Sequence, residues 1–200
     1  MDAIQTRIFS RIRRLGPRKV HASKDFLDLG SRMAVDQALS RLAKAKTIKR
    51  FCRGIYFLPK LNRALGIELA PDMDELAQAL ARKTGSRIVP SGAVAANWLG
   101  LSTQVPAKPV YLTDGRTRTV RAGNLSILIK HTPPKDFPLG SPTSAMVFQA
   151  LRYLGKDAIN AQTIVQIRRR LSGDERRKLV KDIRYTTDWL AEAVRKVCDG

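Results

Sequence analysis

From residue 31 to 46 the chain alternates apolar and polar positions with a helical period. Val35, Ala38, Leu39 and Leu42 fall at i, i+3, i+4 and i+7, which makes one apolar stripe. The other side carries Gln37, Ser40 and Lys44, flanked by Asp36 and Arg41. Ser31 is the predicted N-cap of this helix, and Gly30 ends what precedes it. Upstream, Ser23 is expected to cap a short helix, with Asp25 at the positive end of its dipole. Ile4, Ile8, Ile12 and Leu15 predict an earlier helix over 3–15, stopped by Gly16-Pro17, and a short strand is expected at Lys19–His21. After Lys46 the pattern changes to β-prone runs, Thr47–Cys52 and Ile55–Leu58, that meet at Arg53-Gly54. Helix, tight turn, helix and basic hairpin is the order of a winged helix-turn-helix, assigned to residues 1–62.

Leu61–Pro71 reads as a connector, followed by an amphipathic helix over Asp72–Lys83 with Met73, Leu76 and Leu80 on one side. A segment of small residues at 91–101 has Ala93, Ala95 and Ala96 for close helix approach, and Trp98 and Leu99 as larger packing groups. Val110–Thr113, Thr117–Arg121 and Leu125–His131 are predicted strands separated by Asp114-Gly115 and Gly123-Asn124. They are expected to form a small antiparallel sheet. Helices follow at about 144–154, 161–171, 174–184 and 186–197. The fold class is α+β: an N-terminal winged helix-turn-helix, then a mixed domain over 63–200 with a small antiparallel sheet and C-terminal helices.

Charge sharpens this picture. The 200 residues carry a net +20, which favours a polyanionic partner because neutralised phosphates release counterions. Residues 1–64 hold sixteen Lys and Arg against four Asp and Glu, net +12, whereas residues 65–200 hold twenty-one against thirteen, net +8. The excess is densest where the helix-turn-helix pattern lies. Two distant cysteines, Cys52 and Cys198, outline neither a disulfide framework nor a zinc site, so a reducing cytoplasm is expected. No apolar run approaches the roughly 18 residues of a membrane span, and no signal-peptide core is present.

A winged helix lays its second helix in the major groove, where base edges differ between pairs. The readers must then be long polar side chains opposite the core stripe. These are Gln37, Ser40, Arg41 and Lys44, with Arg32 near the helix start. Arg takes guanine in bidentate fashion and Gln takes adenine. Ser31 and the first-turn amides suit a phosphate. Lys49, Arg50 and Arg53 arm the hairpin for backbone or minor-groove contacts. Arg7, Arg11, Arg13 and Arg14 on the first helix are further phosphate candidates, against a plain solvated face. A second basic cluster, Arg168–Arg170, Arg176-Arg177-Lys178, Lys181 and Arg184, is either a solvated face or a contact for flanking DNA or an RNA-like partner.

Catalytic chemistry is not expected. His21 and His131 lie in strand-like surroundings, Ser91 and Ser102 lack a nucleophile-elbow setting, and Asp72, Asp74 and Glu75 suit a helix start. No phosphate-binding glycine loop or zinc spacing is present, so neither a cofactor nor a metal is expected.

The helix-turn-helix together with RGIYFLPK at 53–60 resembles the N-terminal domain of AbiEi-type antitoxins of type IV toxin–antitoxin (abortive infection) systems. PSGAVAANWLGLSTQVPAKPVYLTDG at 90–115 is similar to the start of the second domain in a subgroup of them, and the resemblance covers about residues 3–185. It implies a regulator whose winged helix binds inverted repeats upstream of its own operon, with two copies per operator, as a dimer or as cooperating monomers. It also implies a second domain that counters a nucleotidyltransferase-like toxin, indirectly or by direct binding. The DNA role carries over by place in the motif to Arg32, Gln37, Ser40, Arg41, Lys44, Arg50 and Arg53. Alternatives are an antitoxin acting mainly through direct protein binding, and an RNA-binding protein that uses the basic C-terminal helices.

Overall fold

The computed structural model describes residues 3–62, 64, 66–104 and 106–199; Arg63 and Leu65 of the expected connector lie outside the described residues. In chain order, α1 (Ala3–Leu15) leads into β1 (Val20–Ala22), a 3₁₀ turn at Ser23–Phe26, α2 (Arg32–Lys44), β2 (Lys49–Cys52) and β3 (Ile55–Phe57). Next come β4 (Lys60–Asn62), β5 (Ile67–Leu69), α3 (Met73–Thr84), β6 (Ile88–Pro90) and α4 (Gly92–Trp98). The remainder is β7 (Val110–Thr113), β8 (Arg118–Ala122), β9 (Leu125–His131), α5 (Pro142–Leu154), α6 (Ala161–Arg170), α7 (Gly173–Asp182) and α8 (Asp188–Cys198). The fold is α+β.

By Cα proximity the chain forms two compact units. The first comprises the chain up to Ile88 together with Arg118–Ile127, and the second comprises Val89–Thr117 together with the chain from Leu128 onward. The segment after residue 62 thus contributes α3 to the first unit.

In that unit, α1 and α2 pack through Ile8, Ile12, Val35, Ala38, Leu39 and Leu42, closed by Phe26, Leu29, Ile48 and Tyr56. The four stripe residues of α2 are all buried, as their spacing predicts. Leu15 is an exception in α1: at the last turn it is 48% exposed. Gly30 serves a purpose other than a left-handed turn. A Cβ there would stand 2.8 Å from Ile4 Cδ1, so the glycine packs directly against the tip of the Ile4 side chain of α1. β1, β3 and β2 form an antiparallel sheet in that order, with Val20 opposite Phe57 and Lys49 opposite Phe57 on its other side. The hairpin turns at Gly54, φ 76°, and β2 bulges between Arg50 and Cys52.

The short helix expected from a Ser23 cap is a single 3₁₀ turn displaced by one residue. Ala22 occupies the cap, and its N–H donates to the Asp25 carboxylate at 3.0 Å, while the buried Ser23 hydroxyl caps nothing. Asp25 is also held by α3: Arg82 Nε donates to its two oxygens at 3.0 and 3.2 Å, and Arg82 Nη2 donates to Val20 O at 2.8 Å.

The second unit is built on α4, α5, α7 and α8, with Ala95, Ala96 and Leu99 packed among Val147, Phe148, Leu151, Leu190 and Val194. Alanines let α4 and α5 approach closely. At Gly92 even a Cβ would fall 2.5 Å from Tyr153 Cβ and 2.9 Å from Gln149 O.

The strands expected to form an antiparallel sheet instead include a parallel pair. β7 runs parallel to β9, with Val110 opposite Leu128 and Thr113 opposite His131, and the sheet order is β6-β7-β9-β8. The reason is topological. Asp114-Gly115 does not close a hairpin, because β9 comes back through the Gly123-Asn124 turn and takes the place beside β7 that β8 would have held. Among the described residues no helix is long and apolar enough to cross a membrane.

Candidate nucleic-acid interface

Ser31 Oγ accepts the Ala34 N–H at 3.3 Å, which fixes the start of α2. With the stripe buried, the helix turns Gln37, Arg41 and Lys44 outward at i, i+4 and i+7. All three are exposed, as are Ser31 and Arg32, while Ser40 between them is half-buried. The same ridge begins one turn earlier with Met33, 71% exposed. Met33 has no polar group and so is not among the expected readers, although its spacing of four from Gln37 places it on this face. A thioether there is suited to apolar contact with a thymine methyl.

On the hairpin, Lys49, Arg50 and Arg53 are all exposed. Arg50 lies opposite Tyr56 in the β2–β3 register. Burial pushes the Tyr56 phenol up from its ordinary value, and Arg50, Asp36 and Arg32 all act on it electrostatically. The ring therefore marks where the first turns of α2 meet the hairpin. The hairpin tip is braced from α3: Lys83 Nζ donates to Arg53 O at 2.7 Å. Arg118 of β8 donates to Leu80 O and Thr84 Oγ1, both at 3.3 Å, at the end of α3.

The expected cations differ in how far they are already engaged. Arg32 Nε pairs with Asp36 at 2.7 Å within the helix, and Lys49 Nζ pairs with Glu68 of β5 at 2.7 Å. Arg11 of α1 makes a bidentate pair with Asp28, at 2.8 and 2.6 Å, and also donates to Asp25 O. The carboxylate hydrogen bond raises the Arg11 pKa and the guanidinium lowers that of Asp28. Arg11 is thus a clamp between α1 and the turn before α2, a role its sequence position did not reveal. Lys44, Arg50 and Arg53 form no side-chain ion pair among the described residues.

The C-terminal basic cluster is partly consumed within its own unit. Arg168 donates to Val197 O at 2.8 Å and Lys196 O at 2.7 Å, capping the end of α8. Arg177 pairs with Asp174, and Arg184 stacks over the Tyr185 ring at 4.8 Å. Asp72 Oδ1 accepts the Asp74 and Glu75 N–H groups at 2.9 and 3.2 Å, an N-cap for α3. His21 is buried and its pKa is pushed down to about 4, chiefly by desolvation. The imidazole Nδ1 of His131 lies 2.7 Å from Gly115 O.

An α+β chain with a basic, outward-facing helix beside a hairpin is the class of protein these elements define. Residues 7–179 match the model of a family of unknown function, DUF6088, and the chain belongs to that family. No curated protein matches it.

Proposed function

We propose that α2 and the β2–β3 hairpin are the reading helix and wing of a winged helix-turn-helix, and that the chain is a sequence-specific double-stranded-DNA-binding autorepressor. The observation that carries this reading is the outward ridge of Gln37, Arg41 and Lys44, on a helix capped by Ser31 and followed by a hairpin on which Arg50 and Arg53 are exposed. In this assignment Arg41 and Gln37 read base edges, Met33 reads methyl groups, and Lys44, Arg50 and Arg53 hold the backbone. Ser31, Arg32, Ser40 and Lys49 contribute at the margins, the two cations by exchanging a carboxylate partner for phosphate. The protein acts in the cytoplasm without a cofactor, two copies to an inverted-repeat operator. Following the family resemblance drawn from its sequence, it serves as the antitoxin of a type IV abortive-infection module, opposite a nucleotidyltransferase-like toxin. The reading in which the C-terminal helices bind RNA draws less support, because Arg168 and Arg177 already have partners.

The test is a titration of full-length protein on the DNA upstream of its own gene and on a scrambled duplex, at near-physiological salt. Preference for the upstream DNA is expected. Arg41→Ala should cost about 1–3 kcal/mol and relax specificity, whereas Arg53→Ala should weaken all duplexes alike and lower the salt slope by about 1. Equal binding to both duplexes would defeat the proposal. Identical behaviour of the two variants would defeat the division into reader and clamp.

A further inference from the structure

Among the described residues the backbone enters positive φ at eight glycines and at one other residue, Lys46, φ 56°. Gly16, Gly85, Gly100 and Gly155 close α1, α3, α4 and α5, each at positive φ. α2 closes as α4 does, where Gly100 N–H donates to Asn97 O at 3.0 Å and Leu101 N–H to Ala96 O at 2.8 Å: Lys46 N–H donates to Ala43 O at 3.1 Å and Thr47 N–H to Leu42 O at 3.1 Å. This is the paired hydrogen-bond pattern of a left-handed helix cap, where glycine is the usual occupant because a Cβ is disfavoured. A strained non-glycine residue calls for a compensating role.

Lys46 is exposed, and its ammonium has no hydrogen-bond or ion-pair partner among the described residues. A favourable charge at the helix C-terminus is an incomplete reason, since Arg41 and Lys44 already occupy the last turn. Its place is the better one. It joins α2 to β2, between the exposed Lys44 of one and the exposed Arg50 of the other.

We propose that Lys46 is a phosphate-binding residue that bridges the helix and hairpin footprints on the DNA backbone. The inference rests on the reading of α2 and the hairpin as a DNA-binding unit. In this assignment the Lys46 ammonium holds a backbone phosphate between those held by Lys44 and Arg50.

The experiment compares wild type with Lys46→Gly, which suits the backbone, and with Lys46→Gln, which keeps the strain and removes the charge. Lys46→Arg is the control that keeps the charge. Binding to a duplex of the gene's upstream DNA is followed by fluorescence anisotropy at about 0.05 and 0.2 M salt, and thermal melting is recorded for each protein. One lost phosphate contact lowers the slope of log affinity against log salt by about 0.9, so the affinity ratio between the two salts should shrink about 3.5-fold in both neutral variants. Lys46→Arg should keep the wild-type ratio, and Lys46→Gly should melt no lower than wild type. Wild-type binding with an unchanged salt ratio in both neutral variants would overturn the role of Lys46 alone. Failure of wild type to bind the duplex would overturn the DNA-binding reading, and with it this inference.

Discussion

Lowering the pH from 7 to 5 sets two groups of the first unit against each other. His21, 2% exposed on β1, has its pKa pushed from 6.5 to about 4, because burial disfavours the imidazolium. Arg82 and Lys19 add to the depression, while Asp25 and Glu75 oppose it. Asp74 in the first turn of α3 moves the other way, from 3.8 to about 6, again chiefly by burial, with Asp72 and Glu75 reinforcing it and Gln78 and Lys19 opposing. The signs follow from proton linkage. Between pH 6.5 and 4 the unfolded state takes up a proton at His21 that the folded state refuses, so that contribution is present above 6.5 and lost as pH falls. Between 6 and 3.8 the folded state holds a proton at Asp74 that the unfolded state has released, so that contribution grows as pH falls through 6.

Integrating the two, His21 costs about 2 kcal/mol between pH 7 and 5, and Asp74 returns about 1.3 kcal/mol over the same interval. The wild-type profile should therefore be shallow, with a net change from this pair of about 0.5 kcal/mol. Substitution uncovers the hidden terms. Relative to wild type, Asp74→Asn should lose about 1.3 kcal/mol more on going from pH 7 to 5, and His21→Leu should lose about 2 kcal/mol less. Urea unfolding at both pH values, followed by far-UV circular dichroism, reads this out. Trp98 and Trp189 both lie in the second unit, so their emission reports separately whether that unit is affected. Other titrating groups are common to all three proteins and drop out of the differences. Superimposable profiles, or departures of opposite sign, would refute the assignment of these two groups.

Further outcomes follow from single contacts. Gly92→Ala should destabilise by about 1–3 kcal/mol, since Tyr153 Cβ and Gln149 O leave no room between α4 and α5, and this exceeds the gain of under about 1 kcal/mol from helix propensity; urea unfolding followed by tryptophan emission measures it. If Met33 touches a thymine methyl, replacing that thymine by deoxyuracil in the upstream duplex should weaken wild-type binding about 4-fold, the worth of one buried methyl, and leave Met33→Ala unchanged. A position-by-position deoxyuracil scan that affects both proteins equally would remove Met33 from the readers.

What was legible in the sequence was local. The cap at Ser31 and the stripe of Val35, Ala38, Leu39 and Leu42 lie within four turns, and each is fixed by its own spacing; both appear as expected. The hairpin turn at Arg53-Gly54 is likewise a short-range signal, and Gly54 has the positive φ such turns use. The misreadings concern partner choice. Asp114-Gly115 marks correctly where the chain bends after β7, but a turn signal does not say which strand will lie alongside. That depends on the later hairpin at Gly123-Asn124, and the outcome is a parallel pair. Arg82 and Asp25 are 57 positions apart, so the link from α3 to the 3₁₀ turn had no local trace. Arg11 read as one more basic residue for the same reason, its partner Asp28 being 17 positions away.

Partner choice also bears on how the candidate interface should respond to salt. A count of positive residues in the first 64 treats every cation as available to phosphate, yet Arg11, Lys19, Arg32 and Lys49 each hold a carboxylate. A cation that must leave an acidic partner contributes less to counterion release than one that starts solvated, because the separated carboxylate takes up counterions of its own. The steep part of the salt dependence should therefore come from Lys44, Lys46, Arg50 and Arg53, all exposed and carried by α2, the hairpin and the link between them. Arg32→Gln should change the slope by less than Arg53→Gln does, despite the equal charge removed. Equal slopes for the two would mean that the Arg32–Asp36 pair opens without consequence and that net charge alone, rather than its pairing, sets the response.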